Sequence, residues 1–129
     1  MIENRIAGTA RVLVHAQLQS DTEHKEESAY RSLCEGLPAL LRTAGLARTV
    51  TFLAAKSDSA SEHAAVLQHL DKQLRELGIL ADAKTALVTW VTSNERKTSE
   101  YRHVSTLTFR IVYWHKRLAQ ALLRKKGVK

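Results

Sequence analysis

The stretch from Thr98 to Lys126 constrains the fold most, because a run without Gly or Pro carries apolar, aromatic and cationic side chains in helical register. With His103 at zero and about 100° per residue, Leu107, Trp114 and Ala121 fall near about +40°, and Val104, Ile111 and Leu118 near about +100°. These six define a core-facing stripe. His103, Arg110, Arg117 and Arg124 recur every seven residues, drift by only about 20° per heptad, and form a basic ridge on its edge. Phe109, Val112 and Tyr113 add an apolar patch behind. A helix of this kind is central in its domain or partly covered by a partner.

The remaining sequence offers more helices and no sheet. At 129 residues, with one Pro, five Gly and many Ala, Leu, Arg, Glu and Gln, the chain suits one all-α domain spanning 1–129, a compact bundle of about six or seven helices. Ile6, Ala10, Leu13, Val14 and Leu18 mark a first helix over Ile2–Gln19, and Ser20 with Glu23 makes a capping-box pattern after it. A second helix runs from about His24 to Glu35, with Ala29, Tyr30, Leu33 and Cys34 inward, until Gly36-Leu37-Pro38 interrupts it. Pro38 then opens a short helix ending at Gly45, and Leu46–Lys56 follows with Val50, Leu53 and Ala54 inward and Phe52 near them.

Ser59 and Glu62 form a second capping box before a helix whose inner face is Ala64, Leu67, Leu70, Leu74 and Leu77 and whose stop is Gly78. Asp82 caps the next piece, Ala83–Val91, with Leu87, Trp90 and Val91 apolar. Its Val-Thr-Trp-Val-Thr run could be a strand, but no second strand exists to pair with it, so helix is expected. Ser93–Lys97 is a loop, and Thr98 caps the last helix.

Charge is uneven. The formal net charge is +7, yet Arg96–Lys129 alone holds ten Lys or Arg against one acid, giving +9 there and −2 elsewhere. A basic segment on a near-neutral body suits a polyanion such as nucleic acid, through phosphate neutralisation and counterion release; a solvated tail is the other reading. Arg and aromatic neighbours at Tyr101-Arg102, Arg110 with Tyr113, and Trp114-His115-Lys116-Arg117 could stack on bases or on one another. Trp114 is assigned to the core, and Tyr113 to either core or partner surface.

Catalytic and cofactor chemistry is not expected. His15, His24, His63, His69, His103 and His115 make no i,i+4 pair and no HExxH, and with one Cys no zinc set is spaced for binding. No GxxxxGK[ST], GxGxxG or GxSxG occurs. Cys34, between Leu33 and Leu37, reads as a small core residue rather than a nucleophile. Paired acids such as Glu26-Glu27, and Asp71 with Glu76, sit beside Lys25, Lys72 and Arg75 and are explained by surface ion pairing. No stretch approaches a membrane span and no signal-peptide layout opens the chain, so a cytoplasmic protein is expected.

Two blocks carry a resemblance. Leu37-Pro38-Ala39-Leu40-Leu41 leads through Gly45-Leu46 to Thr49, Phe52-Leu53 and Lys56; later, Tyr101-Arg102 leads to Trp114-His115-Lys116-Arg117-Leu118-Ala119. In this order they resemble the small helical subunit of the type III-B CRISPR RNA-targeting complex, the Cmr complex. The resemblance implies a non-catalytic protein without cofactors, repeating along the backbone subunits that carry the guide RNA and forming the inner filament. Its partners would be the backbone subunit, sister copies, guide RNA and target RNA in antiviral defence, with no membrane. Guide pairing would read sequence, leaving this subunit to supply positive charge along an A-form duplex.

The RNA-binding candidates are Lys56, Lys116 and Arg117 from the blocks, Arg110 and Arg124 from the ridge, and Arg42 and Arg48 flanking Gly45. Phe109 and Tyr113 are the apolar edges expected to meet sister copies. Two other readings stay open. One is a helical protein-interaction adaptor with a basic docking surface. The other is a helix-turn-helix DNA binder using Arg42–Lys56, although that helix offers a groove mostly Ala, Thr and Val.

Overall fold

A computed structural model describes residues 2–20, 25–78, 87–93 and 98–123. They form α1 (Ile2–Ser20), α2 (Lys25–Ala44), α3 (Leu46–Lys56), α4 (Ser61–Glu76), α5 (Leu87–Val91) and α6 (Thr98–Leu122), with no strand among the described residues. The Val-Thr-Trp-Val run is helical in α5, and Leu87, Trp90 and Val91 are buried as its spacing predicts. Ser20–Glu23, Asp82 and the helix end beyond Leu123 fall outside the described residues, except that Ser20 closes α1.

α6 is the central element and packs chiefly on α1 and α2. α2 runs antiparallel to it: Arg31 donates to the Leu123 carbonyl at 3.0 Å, Gln120 donates to Glu35 at 3.4 Å, and Arg42 lies over the Phe109 ring. The buried face of α6 is Val104, Leu107, Thr108, Ile111, Val112, His115 and Ala119. This face is rotated from the expected stripe towards Thr108 and His115. Val112 is core rather than back patch, Ala121 is exposed, and Trp114 is half-buried against the core. The rotation brings His115 inward against Tyr30 of α2 and Gln73 of α4.

Two further expectations are corrected. Pro38 does not start a helix; α2 continues through it as one element of 20 residues. Tyr30, Cys34, Leu37 and Leu41 lie at i, i+4, i+7 and i+11 and are all buried. Burying each such side chain contributes roughly 1.5–3 kcal/mol, which outweighs the roughly 3 kcal/mol penalty of an interior proline. The Ser59–Glu62 capping box is absent as well. Ala60 is the cap residue of α4 with no side-chain cap bond, and Ser59 Oγ instead donates to the Lys56 carbonyl at 3.3 Å. The i−3 carbonyl at the fraying end of α3 competes for the same hydroxyl.

Gly45 joins α2 to α3 in a single residue. Its φ of +86° is a left-handed conformation that L side chains adopt only with strain, while its N–H bonds to Leu41 and its carbonyl accepts from Thr49. α3 carries no side-chain cap at this residue. One of its free N-terminal donors is met from α6: the Ala47 N–H donates to the Tyr101 hydroxyl at 2.8 Å. Tyr101→Phe is expected to lower stability by about 1 kcal/mol in urea denaturation without altering helix content.

The four longest helices are tied by a buried polar chain that sequence spacing did not reveal. Gln73 Nε2 donates to the Ile6 carbonyl at 3.2 Å, and its Oε1 faces His115 Nε2. Because a carbonyl only accepts, the amide orientation is set and His115 Nε2 must carry a proton. Burial pushes the His115 pKa down to about 3, with His69 adding repulsion, so the ring is neutral and its Nδ1 accepts from the Tyr30 hydroxyl at 3.2 Å. Tyr30 in turn accepts from His69 Nδ1 at 2.8 Å. Burial, then Lys72, lowers His69 to about 4. The proton order is thus His69 to Tyr30 to His115 to Gln73 to Ile6, linking α4, α2, α6 and α1 with every member neutral. Next to it, Cys34 is buried with no disulfide, and its thiol is pushed up to about 12 chiefly by burial, as fits a core residue.

Candidate nucleic-acid interface

The cationic candidates stand on three helical surfaces. Residues 36–56, covering the second half of α2 and all of α3, contain Arg42, Arg48 and Lys56 and no Asp or Glu. Residues 101–122 of α6 contain Arg102, Arg110, Lys116 and Arg117, again with no Asp or Glu. Acids are placed elsewhere, and two form the i,i+4 pairs Arg31–Glu35 and Arg75–Asp71, at 3.1 and 3.0 Å. Neither cation-rich segment supplies its own neutralising partner, so their charges sum along the surface.

The fold brings some candidates together. Arg42, in the last turn of α2, places its guanidinium 5.1 Å from the Phe109 ring centre, next in sequence to half-buried Arg110. This joins two candidates about seventy residues apart. One turn further along α6, Arg117 lies 5.4 Å from the Tyr113 ring centre and donates to the Tyr113 hydroxyl at 3.3 Å. Tyr113 is 40% exposed, so this cation and ring face outward together beside Lys116. Arg110 and Arg117, seven residues apart, are about 10 Å apart along the helix axis. Phe109 is half-buried and packed on the core, so it offers less apolar edge than its spacing suggests.

Lys56 and Arg48 form a separate group. They flank the 39% exposed Phe52 at i−4 and i+4 on the outer side of α3, which packs mainly on α2, α4 and α5. Lys56 lies at the far end of α3, about 15 Å along its axis from the Gly45 corner. Phe52 meets His63 edge-on at 5.4 Å between ring centres. Arg124 lies outside the described residues.

Tyr101 and His115, from the aromatic-basic blocks, are structural: one caps α3, the other is buried in the polar chain. The signal for His115 was present, since at about +120° it shares the face of Val104 and Ile111. No group of three or more metal-binding side chains occurs among the described residues, and no described helix is long and apolar enough to cross a membrane.

The family model for CRISPR-associated protein (Cas_Cmr5) matches residues 2–122, which takes in all six helices and both cation-rich segments. The chain belongs to the Cmr5 family. It is therefore a CRISPR-associated subunit of the Cmr complex, in a family of small, non-catalytic type III-B subunits. No curated protein matches the sequence significantly. The two blocks read in sequence both lie within the matched residues, one spanning the α2–α3 corner and the other on α6, which packs on α2.

Proposed function

We propose that this Cmr5-family chain borders the guide–target RNA duplex as part of the inner filament, with the Arg42, Arg110, Lys116 and Arg117 surface towards phosphates. Lys56 and Arg48 extend the contact or meet a neighbouring subunit, and Arg124, seven positions after Arg117 in sequence, adds a further cation to the ridge. Tyr113 and Phe52 provide outward aromatic surface for sister copies and the backbone subunit. The observation that carries this reading is the pair of segments, 36–56 and 101–122, holding seven Lys or Arg and no carboxylate. A surface of that kind attracts a polyanion without selecting sequence, which guide pairing already does. The work belongs to the cytoplasm, where a lone buried thiol such as Cys34 stays reduced. No reaction is assigned to the chain.

The charge-reversal triple Arg110→Glu, Arg117→Glu, Arg124→Glu is expected to fold normally and to weaken target-RNA retention by the assembled complex at least tenfold near physiological salt. The salt dependence should also become shallower. Unchanged retention across a salt series removes the ridge from the account. Competition for this surface by excess RNA but not by a salt-matched acidic peptide supports RNA bordering, and competition by the peptide instead supports a basic protein-docking surface.

A further inference from the structure

On the outer side of α6, Trp114, Tyr113 and Arg117 form a stack that starts on the core and ends in solvent. Trp114 is half-buried and packs on the core cluster. The Tyr113 ring meets it in a T-shaped contact, with 6.0 Å between ring centres and the planes at 80°. Arg117 is exposed, its guanidinium 5.4 Å from the Tyr113 ring centre, and its Nε donates to the Tyr113 hydroxyl at 3.3 Å. A solvated arginine samples many rotamers and loses that freedom when it grips a ligand. Here the ring contact and the hydrogen bond restrict Arg117 beforehand, at the i,i+4 spacing that sets the two side chains on one strip of the helix.

What the stack leaves unused decides its ligand. Nε is taken by Tyr113, so Nη1 and Nη2 keep their N–H donors for a second partner. A guanidinium accepts nothing, so the phenolic proton of Tyr113 is not consumed by the pair either. Lys116 stands next in sequence and Arg110 one heptad back, and residues 101–122 contain no Asp or Glu to receive these protons. The stack thus presents donors and positive charge, the complement of a ligand that only accepts: an oxyanion held bidentately by the guanidinium fork. A nucleic-acid phosphate suits it better than a lone carboxylate, because Arg110, about 10 Å away along the axis, calls for an anion that repeats.

We propose that Tyr113 is a positioning residue that makes Arg117 a preformed clamp for one RNA phosphate, to which the Tyr113 hydroxyl adds its own hydrogen bond. The proposal rests on the RNA-bordering reading and adds to it one phosphate contact of defined geometry, built on an aromatic side chain that charge alone does not single out. The rest of the Tyr113 ring stays available to a neighbouring subunit.

The test is target-RNA retention by the assembled complex across a salt series, for Tyr113→Phe, Arg117→Lys, Arg117→Gln and the double variant Tyr113→Phe with Arg117→Gln. Both positions are exposed, so the variants keep the fold. Tyr113→Phe keeps the ring and is expected to weaken retention about threefold with an unchanged salt slope, since no cation is lost. Arg117→Gln should weaken it about fivefold and reduce the slope by about one. Arg117→Lys keeps the charge and the slope but loses the fork, and should weaken retention at least as much as Tyr113→Phe. In the Arg117→Gln background Tyr113→Phe should change nothing, because no phosphate is held within reach of the hydroxyl. Equal effects of Tyr113→Phe in both backgrounds, or full retention by Arg117→Lys, overturn the clamp in favour of a diffuse positive charge. Normal retention by complexes that take up fewer copies of the Tyr113→Phe or Arg117→Lys chain, counted by native mass spectrometry, overturns it in favour of a carboxylate on a neighbouring subunit. If Tyr113→Phe is silent while the Arg110, Arg117 and Arg124 charge-reversal triple still weakens retention, the clamp falls and RNA bordering stands. If the triple is silent too, both readings fall.

Discussion

His115→Ala is expected to destabilise the protein by about 3–5 kcal/mol. The substitution opens a void where four helices meet, and it leaves the Gln73 Oε1 and the Tyr30 hydroxyl proton without their buried partner. Each orphaned group adds roughly 1–3 kcal/mol, before the cavity is counted. Against a total stability of roughly 5–15 kcal/mol, the variant stands near the unfolding threshold. Tyr30→Phe removes only the hydroxyl and is expected to be milder, at about 1–3 kcal/mol. Urea denaturation reports both. A loss below about 1 kcal/mol for His115→Ala would mean that the polar chain is incidental to the fold.

The same chain makes the fold sensitive to acid. Burial disfavours the charged ring and pushes His69 down to about 4 and His115 down to about 3 in the folded state, both below the ordinary imidazole value of 6.5. Between these values the unfolded chain binds more protons than the folded one, so stability is greatest above about pH 6.5 and is lost as pH falls. Each histidine contributes about 1.4 kcal/mol per pH unit in that window. From pH 7 to pH 5 the two together should remove about 3–4 kcal/mol. Urea midpoints measured across that range give the slope directly. In a His69→Gln variant the slope should fall by about half; an unchanged slope would place the acid sensitivity elsewhere.

Much of the fold was legible because helical spacing and stop residues agree. α3 was bounded to the residue, since Gly45 supplies a left-handed joint and Val50 and Leu53 share one face. The stop of α4 at Glu76, just before Gly78 with its left-handed φ of +82°, followed from the same chemistry. Pro38 was misread because a local rule was weighed without the four buried side chains that hold α2 together across it. The α6 stripe was placed about one side chain away from its true centre. His115 had been grouped with its charged neighbours, and nothing local reveals that Tyr30 and Gln73 wait on other helices to bond it.

The candidate surface was legible in part for a similar reason. Charge segregation is a property of the sequence, so the cations of α6 and of the α2–α3 corner could be named in advance. Which of them meet is set by tertiary packing. Arg42 and Phe109 come together only because α2 and α6 run antiparallel, and Lys56 stands apart because α3 turns away at Gly45. Tyr101 looked like a stacking residue beside Arg102 until its hydroxyl was found on the Ala47 N–H.

The most direct measurement of RNA bordering is lysine acetylation footprinting of the assembled Cmr complex, with and without target RNA, read by mass spectrometry. Lys116 lies on the carboxylate-free strip of α6, whereas Lys72 is exposed on α4. Comparing the two states of one complex cancels protection by other subunits. Lys116 is expected to lose at least several-fold reactivity when target RNA binds, while Lys72 stays unchanged. Equal reactivity of Lys116 in the two states, with RNA bound in one, would contradict the assignment of this surface to RNA.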